Sequence, residues 1–163
     1  MENEQELRKQ LLGLLTGKNA HMTFEQAVAD FPPDAMNQRP PNVEYTPWQL
    51  LEHIRIAQWD ILDFIRNPDY VSPDWPSGYW PDRSHQASQE DWQQTVSQLQ
   101  TDLKALKEIV RNPETDLLAD LPHAPGYTVL REILVVSDHN AYHLGEFAAL
   151  RQVMKTWPGK PGG

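Results

Sequence analysis

The chain has 163 residues, no cysteine and a formal net charge of -9. This length suits one domain with its own core. The lack of thiols excludes disulfide frameworks, thiolate metal sites and a cysteine nucleophile, and the negative charge argues against nucleic acid as a partner. The polar N-terminus and the lack of a long apolar run predict a cytoplasmic protein that does not enter a membrane.

Four long segments have the spacing of amphipathic helices, and none alternates as a strand does. The first spans about Glu4 to Leu15, and a short continuation starts at the capping-box residue Thr23. The second has Thr46 as its N-cap, followed by a proline that suits the first helical position. It ends at Asn67, because a proline follows.

The last two segments complete the predicted fold. The third helix runs from near Ser88 to about Arg111, has an apolar seam and carries no histidine, which indicates a packing role. The fourth is capped by Thr128 and continues to about Met154. We predict an all-α four-helix bundle with long connections that permit a crossover topology. Residues 1–155 form its single domain, and residues 156–163 form a flexible tail.

Residues 68–87 connect the second and third helices and have an unusual composition. They contain four prolines, two tyrosines and two tryptophans, which rules out a helix. A loop of this length in a compact domain is usually functional or disordered, and this many aromatic residues argue against disorder. We expect an ordered flap with Trp75 or Trp80 near the mouth of a functional pocket, with a purely structural crossover as the alternative.

Three histidines are candidates to share one metal ion. His139 and His143 are spaced i, i+4 on the last helix, which places two imidazoles on one helical face. His53 lies at the margin of the apolar face of the second helix. An imidazole at the edge of a core needs a polar partner. A shared metal ion or separate hydrogen bonds would both satisfy this need, and the spacing alone does not choose between them.

Two acids stand near these histidines. Asp60 follows His53 by seven residues. Glu146 follows His143 by three. Each acid is a candidate to orient a ligand imidazole, to bind the metal or to act as a general base, and the alternative is a solvated surface acid. The other histidines lie at helix breaks or in proline-rich loops and are expected at the surface, with His21 near the site as an alternative: His21, His85 and His123.

Two stretches of the chain resemble the DinB/YfiT-like superfamily. TPWQLLEHIRIAQWDIL resembles the family's second helix, and SDHNAYHLGEFAALRQ resembles its closing helix with the motif H-x-x-x-H-x-G-[QE]. The resemblance extends from the first helix to Met154 in the same helix order. It implies a four-helix bundle, often dimeric, in which three histidines near one end of the bundle hold a divalent metal.

The family's first histidine falls on His53, and its closing pair falls on His139 and His143. Where the family often has glutamine, this chain has Glu146, so a role of that glutamine does not transfer directly. Members with a known reaction include thiol S-transferases and a thiol-dependent isomerase, while many members have no known activity. The resemblance therefore implies a metal site and leaves the reaction open.

A metal on three neutral imidazoles keeps open coordination positions, which is the layout of a catalytic site. Zinc or nickel is favoured, with iron(II) or manganese as alternatives. The leading hypothesis is a metal-dependent thiol transferase or hydrolase that activates a small thiol or water for attack on a small molecule. The alternatives are a non-catalytic metal-binding or sensing protein and a helical interaction module. From the resemblance we expect a homodimer and a low-molecular-weight thiol as cosubstrate.

Overall fold

The computed structural model describes residues 2–17 and 19–158. In this part of the chain the helices are α1 (Glu2–Thr16), α2 (Phe24–Val28), α3 (Pro47–Arg66), α4 (Gln89–Arg111) and α5 (Val129–Met154). Two single turns of 3₁₀ helix cover Pro33–Ala35 and Ser77–Tyr79. The prediction of a mainly helical bundle is confirmed.

The predicted starts of the helices are present because each has a side-chain cap. The hydroxyls of Thr23 and Thr46 each accept a hydrogen bond from the third backbone N–H of their helix, and a glutamine side chain accepts one from each cap. The Thr128 hydroxyl accepts from the backbone N–H of Arg131 at the start of α5. These caps fix where α3 and α5 begin, and so fix which of their residues face the core.

The four long helices form a bundle with a crossover arrangement. Helix α1 packs on α4 and α5, and α3 packs on the same two helices. Consecutive long helices α1 and α3 therefore stand at diagonal positions, as do α4 and α5. The long connections at residues 17–46 and 112–128 join these diagonal partners, which is the crossover that the sequence permitted.

The expectation that no segment forms a strand is wrong for one short hairpin. Strand β1 (Asp120–Leu121) pairs antiparallel with β2 (Ala124–Thr128) just before α5. The sequence hides this hairpin because both strands are short and Pro122 and Pro125 interrupt the stretch. The hairpin closes one end of the bundle and leads into the cap of α5.

Buried apolar residues form two main clusters that follow one another along the bundle. The hairpin-end core lies near the hairpin and is built by α1, α3, α4 and α5; its buried members are Leu11, Leu15, Leu62, Leu106, Val110, Leu117, Leu121, Val129, Ile133 and Val136. The α2-end core lies near α2, and its buried members are Ala27, Leu50, Leu51, Ile54, Leu99, Leu144, Phe147 and Leu150. Along α3 and α5, the histidines fall around the boundary between the two clusters.

The start of the predicted flexible tail packs on the bundle. Thr156 is buried, and the guanidinium of the buried Arg151 lies 4.0 Å from the centre of the Trp157 ring. The rest of the predicted tail, residues 159–163, lies outside the described residues. Among the residues described, none of the helices combines the length and apolar character that crossing a membrane requires.

Candidate metal centre

Three imidazoles converge at the contact between α3 and α5. The Nε2 atom of His53 lies 3.2 Å from that of His143 and 3.3 Å from that of His139. One ligand atom from each ring can be chosen so that all three lie within 4.8 Å of one another. The structure thus brings together the three histidines that the sequence singled out as metal ligands.

The positions of these histidines on their helices explain the convergence. His139 and His143 are one helical turn apart on α5 and therefore share a face. His53 lies nearly two turns into α3, which packs beside α5. The resemblance implied a site near one end of the bundle. Both α5 histidines instead fall in the middle third of that helix, so the cluster lies partway along the bundle. The reason is that α5 extends well past the closing motif.

His53 is held from the side opposite the cluster by the loop at residues 68–87. Its Nδ1 atom lies 2.8 Å from the backbone oxygen of Tyr79. Because a carbonyl oxygen only accepts, Nδ1 of His53 is the donor, and a neutral ring then has its lone pair on Nε2. The Trp80 ring stacks on the imidazole with centroids 4.0 Å apart and planes 2° apart, which fixes the ring orientation.

His143 is held in the same way by an acid. Its Nδ1 atom lies 2.8 Å from a carboxylate oxygen of Glu146, and the other oxygen accepts from the Tyr45 hydroxyl. The Nδ1–H of His143 therefore donates to Glu146, and its Nε2 also points a lone pair at the cluster. Glu146 lies on the far side of the ring from the cluster, so its contacts indicate an orienting residue rather than a ligand.

The environment of the three rings favours their neutral forms, because it lowers the pKa of each. Burial, followed by the neighbouring rings of His139 and His53, lowers the pKa of His143 to about 4. Burial also lowers the pKa of His53, and burial together with the nearby His53 lowers the pKa of His139. Burial raises the pKa of the Glu146 carboxyl. A neutral imidazole is the form that binds a metal.

An open cleft of about 500 Å³ lies against the three rings. We call it the histidine cleft; its lining comes from α3, α5 and the 68–87 loop and includes Ala57, Asp60, Ile61, Ser72, Pro73, Trp75, Tyr79 and Val135. Apolar groups make up most of this wall. Its volume is that of a small-molecule site, about 300–1,000 Å³.

Asp60 is the acid that lies in the cleft wall, and its carboxylate is already engaged. It is buried, and its two oxygens accept hydrogen bonds from the hydroxyls of Tyr70 at 2.7 Å and Tyr79 at 2.8 Å. Burial is the main cause that raises the pKa of both tyrosines. Asp60 thus ties the 68–87 loop to α3, and the same Tyr79 contacts His53 through its carbonyl.

The predicted position of Trp75 or Trp80 beside the pocket is confirmed, and it holds for both tryptophans. Trp75 lines the histidine cleft and Trp80 stacks on His53. The other three histidines stay apart from it. His21 and His85 are exposed, and the half-buried His123 lies 2.8 Å from the backbone oxygen of Phe64.

Several residues of the site could not be identified from the sequence. The carbonyl of Tyr79 and the ring of Trp80 act on His53 from 26 and 27 positions away. The buried Gln58 and the half-buried Asn140 form an amide pair beside the cluster, with 2.8 Å between Asn140 Nδ2 and Gln58 Oε1. The aromatic richness of the 68–87 loop was the one available signal for the first two, and no local pattern marks the amide pair.

Comparison with known proteins agrees with this geometry. The family model described as the DinB superfamily matches residues 18–147. This match spans α2 to the end of the closing histidine motif and includes all three histidines. No curated protein and no solved structure matches the chain. The matched region covers most of the chain, which shows that this protein belongs to the DinB superfamily.

Proposed function

We propose that this protein is a metal-dependent enzyme that holds one divalent ion at His53, His139 and His143 and activates a small thiol or water for group transfer or hydrolysis. The observation that carries this proposal is the convergence of three imidazole nitrogens on the wall of an open cleft. A site that only stabilised the fold would be closed by a fourth protein ligand.

The residues present fit a divalent ion. The Nδ1 atoms of His53 and His143 donate to Tyr79 and Glu146, so the Nε2 atoms that face one another at 3.2 Å are both acceptors. Two facing acceptors without a proton repel each other, whereas a cation between them is attracted to both lone pairs. Zinc and nickel suit an all-imidazole donor set best, with iron(II) and manganese as alternatives.

A divalent ion bound there would supply Lewis acidity toward a sulfur or oxygen nucleophile. The chain's own contribution is a mainly apolar cleft wall, including Ile61, Val135 and Trp75, that binds the substrate and keeps water away from it. Because the chain has no cysteine, a thiol nucleophile must come from a cosubstrate. A low-molecular-weight thiol is the natural candidate for this family.

The two acids take different roles in this proposal. Glu146 contacts the Nδ1 side of His143 and holds the ring's tautomer. Asp60 lies in the cleft wall with Tyr79 hydrogen-bonded to it, and this pair is our candidate for proton transfer to or from a substrate. Accepting a proton at Asp60 would require one tyrosine hydroxyl to give up its hydrogen bond, a cost that a general base at this position has to meet.

The proposal is tested by comparing metal forms of the same protein. Metal-free protein is reconstituted with zinc, nickel, iron(II) or manganese and assayed for thiol conjugation to generic electrophiles and for hydrolysis of generic esters. We expect at least one metal form to exceed the metal-free protein, and the His139→Ala/His143→Ala variant to remain at the metal-free level. If no metal form does so while the ion is retained, the protein is a non-catalytic metal-binding protein. If no ion is retained, the interaction-module hypothesis replaces both.

A further inference from the structure

We infer that a second cleft, on the other side of the α3–α5 contact from the histidines, is a binding site for an uncharged small molecule with an apolar body. This second cleft has a volume of about 450 Å³, which again suits a small molecule. All five helices contribute to its wall, and it shares no lining residue with the histidine cleft. The inference goes beyond the proposed function and does not depend on a metal.

The floor of the second cleft is apolar core. Four buried side chains from α1, α3, α4 and α5 form it: Leu15, Ile54, Leu99 and Leu144. Protein interiors are close-packed and leave few voids larger than a water molecule. A cleft of this size against core side chains therefore offers apolar surface that a ligand can cover, with a gain of about 25 cal/mol for each Å² removed from water.

A hydrogen-bonded amide pair, Gln58 and Asn140, separates the second cleft from the histidines. The fully buried Gln58 donates to the backbone oxygen of Leu99 at 2.8 Å and accepts from Asn140 at 2.8 Å. Both residues line the second cleft, while their sequence neighbours His139 and Ala57 line the histidine cleft. The two amides hydrogen-bond to each other, so this part of the wall is held in place and carries no charge.

The rim of the second cleft points to an uncharged ligand. It includes Glu25 from α2 and Lys107 from α4, whose formal charges cancel, so neither an anion nor a cation is favoured. Leu14 adds apolar surface at the same rim, where its side chain is 45% exposed. An apolar body on the leucine floor with a neutral polar end at the rim satisfies both regions.

The test uses 1-aminoanthracene, an uncharged fluorescent aromatic probe, titrated into the full chain. We expect saturable binding of one probe per chain. Ala141→Phe on α5 and Leu103→Phe on α4 place a larger side chain in the second cleft from two walls. Each should weaken probe binding at least about tenfold, equivalent to about 1.4 kcal/mol. Ala149→Phe, at an exposed α5 position outside the lining, is the matched control and should leave the affinity within about twofold.

The same titration separates this inference from the proposed function. His139→Ala/His143→Ala should bind the probe as tightly as the unmodified protein, whether or not any metal form shows turnover. Thermal unfolding shows whether Ala141→Phe and Leu103→Phe are folded. If one of these two cleft-filling variants is not folded, the other decides the result. Unsaturable binding, unchanged affinity in the folded filling variants, or loss of probe binding in the double histidine variant would each overturn the inference.

Discussion

The hairpin-end core and the histidine cleft share helices α3 and α5, yet they are held together differently. In the core, fully buried side chains such as Leu106 and Ile133 need only apolar neighbours. In the cleft, buried His53 and Asp60 each need a polar partner, and the 68–87 loop supplies it. Stability and site geometry therefore rest on separate segments, and substitutions should be able to change one without the other.

The largest effect on metal binding without loss of the fold is expected when two of the three imidazoles are removed. His139→Ala/His143→Ala should lower affinity for zinc by at least about 1,000-fold, because one remaining imidazole holds a metal weakly. The fold should survive, since the hairpin-end core is untouched. Chelator competition measures the affinity, and circular dichroism checks the fold. An affinity within tenfold of the unmodified protein would show that the ion binds elsewhere.

A substitution in the hairpin-end core should do the reverse and lower stability without changing zinc affinity. Leu106→Ala removes a fully buried side chain from α4 and should lower the free energy of unfolding by about 2–5 kcal/mol, measured by urea denaturation. Zinc affinity should stay within about twofold. Leu118→Ala, at a position that is 65% exposed, is the control and should change stability by no more than about 0.5 kcal/mol. A large loss of zinc affinity in the folded Leu106 variant would break the distinction between the two regions.

The stability of the metal-free protein should depend on pH through the titration of His143 in the histidine cleft. The pKa of His143 falls from 6.5 to about 4 in the folded chain, so the unfolded chain binds its proton first as the pH falls. The stabilising contribution of the neutral ring is present above about pH 6.5 and is lost toward pH 4, on the order of 2 kcal/mol.

Urea denaturation of metal-free protein between pH 7.5 and 4.5 measures this loss. His143→Asn is the matched variant, because it keeps a polar side chain and removes the titration. Its stability should fall less steeply over the same range, and equal slopes for the two proteins would contradict the assignment of this pH dependence to His143.

The smallest expected change in zinc affinity tests whether the 68–87 loop positions the histidine cluster. Asp60 accepts from the Tyr79 hydroxyl, and the Tyr79 carbonyl accepts from Nδ1–H of His53. Asp60→Asn should therefore weaken zinc binding by about tenfold, as expected for a residue that positions a ligand, and Tyr79→Phe should act in the same direction. Asp63→Asn, one turn along α3 and outside the cleft lining, is the control. Equal affinities in all three variants would remove Asp60 from the positioning role.

The parts of this structure that local sequence determines were predictable. The caps Thr46 and Thr128 set where α3 and α5 begin, and helical spacing placed His139 and His143 on one face. The diagonal arrangement of the helices, the hairpin and the partners of His53 were not predictable, because they depend on contacts between residues far apart in the chain. The Tyr79 contact is the clearest case, since a backbone carbonyl carries no sequence signature.

A direct test of the three-histidine metal site is a cobalt(II) titration of the metal-free protein, followed by visible absorption. We expect saturation at one ion per chain, with d–d bands that are absent in the His53→Ala variant and that disappear when zinc displaces the cobalt. Absence of a saturable signal, or the same spectrum in the His53→Ala and His139→Ala/His143→Ala variants as in the unmodified protein, would contradict a metal site at these three histidines.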